Sequence, residues 1–178
     1  MITKNGYVLT GGPGGGKTTV ISALQDMGYA TVAESGRNII QEQVSVGGNA
    51  LPWGDTMLFR DKMLEAAVRD YSSWGHQPGP VFLDRGIPDV IAYTKLTGML
   101  LSADMQALGT RFRYHPHVFV FPPWEDIFRG DAERKQSFTT AVRTYEVIRE
   151  VYAGYGYELI TVPCVRVAER VAFILSCL

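Results

Sequence analysis

The chain has 178 residues, 46% of them hydrophobic and 20% charged, a length and balance expected of one globular domain around a single core. Seventeen basic residues against eighteen acidic ones leave a net charge of -1, which excludes a global electrostatic attraction to nucleic acid or membrane. Two cysteines without metal-ligand spacing, no signal-peptide pattern and no apolar run near the roughly 18 residues of a bilayer span lead us to expect a soluble, cytoplasmic protein.

In chain order, Tyr7-Val8-Leu9-Thr10 reads as a short strand, followed by a glycine-rich loop and a helix from Thr18 to Gln25 that stops at Gly28. Tyr29 to Ala33 reads as a second strand ending on Glu34, and Gly36 to Val46 as a helix with Ile39, Ile40 and Val44 apolar. After the Gly47 to Pro52 loop, Asp55 to Trp74 is a long amphipathic helix, with Met57, Leu58, Met63, Leu64, Ala67, Val68 and Tyr71 as candidate core residues. Prolines and glycines between His76 and Pro80 break it.

Val81-Phe82-Leu83 has the continuous apolar character of a buried strand and ends in Asp84-Arg85-Gly86. Pro88 suits the first turn of a helix reaching about Leu96, and a second helix covers about Ala103 to Arg111. His117 to Phe121 reads as a fourth strand closed by Pro122-Pro123, and Trp124 to Lys135 is a charged segment. Ser137 to Tyr155 is a helix, Tyr157 to Val162 a fifth strand, and Val165 to Leu178 a last helix. Five apolar strands alternating with helices predict an α/β fold with a parallel sheet covered on both faces, and ligands bind such sheets beyond the carboxyl ends of the strands.

Those strand ends carry the chemistry. Gly11-x4-Gly16-Lys17-Thr18 matches the phosphate-binding loop pattern in full. Gly12, Pro13, Gly14, Gly15 and Gly16 are expected to wrap the nucleotide, the glycine N–H groups converging on phosphate oxygens, and the helix that follows presents its positive end. Lys17 reaches the outer phosphates, Thr18 can hold Mg²⁺, and Thr19 is expected with them among the nucleotide-binding residues. Asp84, at the end of a buried strand, suits the second Mg²⁺ ligand, and Arg85 has the fork geometry for phosphate oxygens. An Asp-Glu pair there would equip the chain to activate water, but the sequence has Asp84-Arg85; nor does it hold an Asn-Lys-x-Asp to read guanine.

These stretches resemble the small P-loop, kinase-like ATPases of a broad AAA-labelled group, which are similar to deoxynucleoside kinases and to the ribosylnicotinamide kinase domain. The resemblance rests on Gly11 to Thr19, Ala33 to Arg37, Leu83 to Gly86, Phe121 to Trp124 with the charged segment after it, and Tyr152 to Pro163. It implies a three-layer fold with sheet order 2-3-1-4-5 and a lid at about 124–136. It also implies that Glu34 accepts the proton of an attacking hydroxyl, that Arg129 and Arg134 of the lid close on the transferred phosphoryl group, and that the Pro163-Cys164-Val165 turn rests the adenine. Five residues apart on one helix, Arg129 and Arg134 would diverge by about 140°, so only one faces the cleft unless Gly130 breaks the helix.

Arg37 can hold an acceptor or pair with Glu34. Trp53, Phe59, Tyr93 and Trp124 are expected to flank the acceptor side, as stacking or wall residues. His115-Pro116-His117 reads as a turn into strand four rather than a metal site. The expected activity is Mg²⁺-dependent phosphoryl transfer from ATP to a small molecule whose identity the sequence does not give. The competing readings are ATP hydrolysis without such an acceptor, and a nucleotide-sensing binding module.

Overall fold

The computed structural model describes residues 5–74, 78–128 and 137–178. The strands are β1 (Gly6–Gly11), β2 (Ala30–Val32), β3 (Val81–Asp84), β4 (His117–Phe121) and β5 (Glu158–Thr161). They form one parallel sheet in the order β2-β3-β1-β4-β5. Seven α-helices accompany them among the described residues: α1 (Lys17–Asp26), α2 (Ser35–Val46), α3 (Thr56–Trp74), α4 (Ile87–Leu96), α5 (Ala103–Arg111), α6 (Phe138–Gly154) and α7 (Val167–Ser176).

The apolar runs of β1, β3 and β4 are continuous because these strands are central and covered on both faces. The two-residue period sorts their side chains. Val8, Val81, Leu83, Val118 and Val120 point to a core completed by Ile87, Ile148 and Tyr152 of α4 and α6. Leu9, Phe82, Phe119 and Phe121 point to the other face, onto Leu24 of α1 and Ile174 of α7. A third, smaller core of Ile39, Ile40, Leu51, Phe59 and Ala66 fastens α2 to α3.

The strand order and alternation agree with the reading of the sequence; several details do not. Met57 and Leu58, expected in the core, are 57% and 44% exposed, because the first turn of α3 is anchored by Phe59 alone and turns its other side chains to solvent. Val44 of α2 is 60% exposed for a similar reason, since Ile39, Ile40 and Gln43 occupy the inward face. The edge strand β2 is only three residues long, shorter than the expected Tyr29 to Ala33. The last helix begins at Val167 rather than Val165, because Val165 N–H closes a turn onto Pro163 C=O at 3.0 Å. No helix among the described residues is long and apolar enough to cross a membrane.

Register brings the carboxyl ends of the strands to one edge. Leu9 pairs with Asp84, Gly11 with Phe121 and Val32 with Leu83, so the glycine loop, Asp84-Arg85 and Glu34 leave the sheet side by side.

Candidate functional site

The loop between β1 and α1 takes its shape from backbone conformations that a side chain would oppose. Gly11 has φ 137°, and a Cβ there would lie 2.3 Å from the carbonyl oxygen of Phe121. Gly16, the residue before α1, has φ 78°, and its Cβ would meet a guanidinium nitrogen of Arg170 at 2.6 Å. Lys17 is buried; its Nζ donates to the carbonyls of Gly11 (3.3 Å) and Gly12 (3.1 Å), which lays the ammonium along the loop. Residues Pro13 to Thr19 line a cavity of about 400 Å³, walled opposite by Arg37, Phe128, Val167 and Arg170. Thr18 and Thr19 are exposed to it.

Asp84 closes β3 and is buried, and its Oδ1 has no hydrogen-bond partner. Burial pushes its carboxyl up, Lys17 pulls it down and Glu34 adds to the rise; the net direction is up. A buried, unsatisfied carboxylate oxygen is costly unless a cation or donor completes it. Among the described residues no three His, Cys, Asp or Glu side chains gather to hold an ion on their own. One carboxylate and one hydroxyl are nevertheless the protein share that Mg²⁺ takes when phosphates and waters supply the rest. The orphaned oxygen of Asp84 and the exposed hydroxyl of Thr18 therefore fit that ion.

Arg85 adopts φ 77°, in the left-handed region that an arginine rarely enters, at a cost of about 1–3 kcal/mol. Its own bonds hold it there. The N–H donates to Leu9 C=O at 3.0 Å, Nε to Glu34 Oε1 at 3.1 Å, and NH1 to Gly11 C=O at 3.1 Å and Asp89 Oδ1 at 3.2 Å. Burial pulls the guanidinium down, but Glu34, Asp89 and Asp84 outweigh it, and the net direction is up. Arg85 thus faces carboxylates and the loop carbonyl rather than the open phosphate cavity.

Asp89, in the first turn of α4, is the hub beneath this arrangement, and the sequence reading missed it. Thr10 Oγ1 and Arg85 NH1 donate to its Oδ1; Gly86 N–H (2.8 Å) and Tyr152 O–H (2.6 Å) donate to its Oδ2. One buried carboxylate so ties β1, the end of β3, α4 and α6 together.

A second, larger cavity of about 820 Å³ opens on the other side of Glu34. Trp53, Phe59, Met63 and Tyr93 give it an apolar and aromatic wall, with Phe59 and Tyr93 edge to face at 5.7 Å. Pro13 and Glu34 line both cavities, so the carboxylate of Glu34 stands at their junction. The Tyr93 hydroxyl is buried without a hydrogen-bond partner, and burial raises its pKa.

Of the four aromatics expected on this side, Trp124 lies elsewhere. Its ring stacks at 5.3 Å on the guanidinium of Arg170, because the chain after β4 turns toward α7. Arg37 walls the smaller cavity with the glycine loop, while Arg85 holds Glu34. Cys164, in the turn after β5, is exposed, and Val167 just beyond it lines the smaller cavity. His115 stacks on Tyr7 at 4.0 Å, as expected of a structural turn. Arg129 and Arg134 lie outside the described residues.

Arg170 was also missed. The signal was present: Val167, Arg170, Val171 and Ile174 follow the spacing of a buried helical stripe, and a charge on such a stripe calls for a partner.

The sheet order, the loop and the strand-end carboxylates define the P-loop kinase type of fold. The match to the AAA domain family spans residues 6–170, and the chain belongs to that family. No curated protein matches it. Among solved structures it resembles deoxyadenosine kinase from M. mycoides, with dCMP and dCDP bound, at 15% identity and a TM-score of 0.68 over 97% of both chains. It resembles the NadR protein in complex with NR at 17% identity and a TM-score of 0.70, over 98% of this chain and 50% of that one. Thymidylate kinase from Ehrlichia chaffeensis aligns at 14% identity and a TM-score of 0.65 over 97% of both chains.

Proposed function

We infer that this protein transfers the γ-phosphoryl group of ATP to a hydroxyl of a small molecule held in the larger cavity. The observation that carries the reading is the meeting of two cavities at Glu34, one built of phosphate-binding backbone and one of aromatic and apolar side chains. A hydrolase needs only the first.

Lys17 and the N–H groups of the loop bind and orient the polyphosphate. Asp84 and Thr18 would hold Mg²⁺, which when bound neutralises charge on the phosphate oxygens. Glu34, oriented by Arg85, accepts the proton of the attacking hydroxyl at the junction, while Arg85 is itself fixed by Asp89. An acceptor packed against the aromatic and apolar wall of the larger cavity displaces water, the competing nucleophile.

The charges of the larger cavity favour a hydroxyl acceptor over a phosphate. Glu34, Asp70, Asp84 and Asp89 stand against Arg85 and Arg143, and Arg85 is already bonded to two of the acids. Burial pushes the Asp70 carboxyl up, with Arg69 pulling down, as expected of an acid facing an apolar hollow. A doubly charged monophosphate would meet a net negative lining, whereas an uncharged or cationic ring would stack on Trp53, Phe59 and Tyr93. In this respect the likeness to deoxyadenosine kinase and NadR is more informative than that to thymidylate kinase.

Labelled ATP offered with a pool of nucleosides and, separately, with a pool of nucleoside monophosphates tests this. A labelled product from the first pool is expected. Product from the monophosphates alone would move the acceptor class but keep the transferase; free phosphate alone from both pools would replace the transferase with a hydrolase.

A further inference from the structure

Arg170 is a buried cation that pairs with no anion among the described residues. It lies in the first turns of α7, 4% exposed, and no carboxylate among the described residues pairs with it. Its NH1 donates to the carbonyls of Gly15 (3.2 Å) and Gly16 (3.5 Å), its guanidinium carbon lies over the Trp124 ring at 5.3 Å, and its Nε has no partner. Asp126, on the adjoining turn, accepts from Trp124 Nε1 at 3.1 Å instead. Two carbonyls and an aromatic face solvate a guanidinium only in part, and a buried charge left so is expensive. Burial accordingly lowers the Arg170 pKa from its ordinary value.

The missing counter-charge has a place. Arg170 lines the smaller cavity together with Gly14, Gly15 and Gly16, the loop whose sequence pattern is that of a phosphate cradle. Its grip on the two carbonyls also fixes the peptide planes of Gly15 and Gly16, with their C=O groups turned toward α7. Arginine is suited to this double role, since its fork can donate to backbone and phosphate at once.

We propose that Arg170 is a nucleotide-binding residue: the polyphosphate of the bound nucleotide is its counter-ion, and its carbonyl contacts set the phosphate loop for that ligand. This rests on the reading of the smaller cavity as the donor site, and it adds a cation supplied from the far end of the chain. It explains why a charged residue persists on the buried stripe of α7. A structural arginine there would have an acid beside it.

The test uses ligand-induced thermal shift and calorimetry on wild type, Arg170→Gln and Arg170→Lys, with ATP and with inorganic tripolyphosphate as probes. Wild type is expected to be stabilised by both. Arg170→Gln is expected to bind ATP about 10- to 100-fold more weakly, the size of a lost hydrogen-bonded charge contact. It should also lose the shift with tripolyphosphate, while its ligand-free Tm stays level or rises. Arg170→Lys should recover most of the binding.

A purely structural residue gives the opposite pattern, with a lower ligand-free Tm and ATP affinity within twofold of wild type. That result overturns the proposal and leaves the donor site standing. If wild type itself shows no shift with either probe, the donor-site reading falls, and the proposal with it.

Discussion

Replacing Asp89 with Asn keeps the shape of the side chain and removes one negative charge from the hub beneath the site. The carboxylate accepts four donors, two on each oxygen. An amide accepts on one side only, and on the other its NH2 faces donors. The hydroxyls of Thr10 and Tyr152 can rotate and accept, but Arg85 NH1 and Gly86 N–H cannot. Turned one way the amide leaves Gly86 N–H buried without an acceptor, and turned the other it costs Arg85 NH1 one of its two acceptors, at about 1–3 kcal/mol either way. Arg85 also loses part of the charge that compensates it, which brings the total to about 3–4 kcal/mol.

In a chain of 178 residues each kcal/mol shifts Tm by about 2–4 °C, so Asp89→Asn should lower Tm by about 10 °C. Tyr152→Phe removes one donor from a carboxylate that keeps three, and should cost about 1–2 kcal/mol. Thermal unfolding followed by circular dichroism separates the two. A drop for Asp89→Asn no larger than that for Tyr152→Phe would refute the reasoning, because it would mean that the charge and the second oxygen contribute nothing.

Glu34→Gln should slow phosphoryl transfer by about 10²- to 10⁴-fold, the usual range for a general base, while ATP affinity stays within a few-fold; single-turnover kinetics beside calorimetry checks it, and an unchanged rate removes Glu34 from the role. Asp84→Asn should abolish Mg²⁺-dependent turnover without lowering the Tm of the ligand-free protein, since it relieves a buried carboxylate with an unpartnered oxygen; a lower ligand-free Tm would show that Asp84 is structural.

Burial and the neighbouring His117 hold His115 below its ordinary value of 6.5. Folding thus favours the neutral ring, whose Nδ1 accepts the His117 N–H at 3.1 Å. Its contribution is present above pH 6.5 and lost as pH falls through the lowered value. Tm should therefore fall more steeply between about pH 6.5 and pH 5 in wild type than in His115→Phe, and equal slopes would exclude the effect.

The sheet was legible because its central strands are buried on both faces, so β1, β3 and β4 read as unbroken apolar runs closed by polar residues. The loop was legible because close approach to phosphate demands glycine, and its lysine and threonine follow at fixed spacing. Exposure along α3 was not: Met57 and Leu58 fit the helical period as well as Phe59 does, and only the packing of α3 on α2, which takes up Phe59, decides which of them is covered. Asp89 reads as a helix-start acid, and nothing local tells that Tyr152, 63 residues away, donates to it. Arg85 was expected at the phosphates; the left-handed backbone at that one residue turns it onto Glu34 and Asp89 instead. Long-range partners of this kind are fixed by packing, and a charged residue inside an apolar stripe, as at Arg170, is the nearest thing to a warning in the sequence.

The central claim is that ATP turnover here is transfer to an acceptor, and the stoichiometry of products tests it most directly. With labelled ATP and a nucleoside acceptor, ADP and phosphorylated acceptor should appear one for one, at a rate that saturates with acceptor and falls by about 10²- to 10⁴-fold in Glu34→Gln. ADP accompanied by free phosphate, formed at the same rate whether or not acceptor is added, would contradict the account.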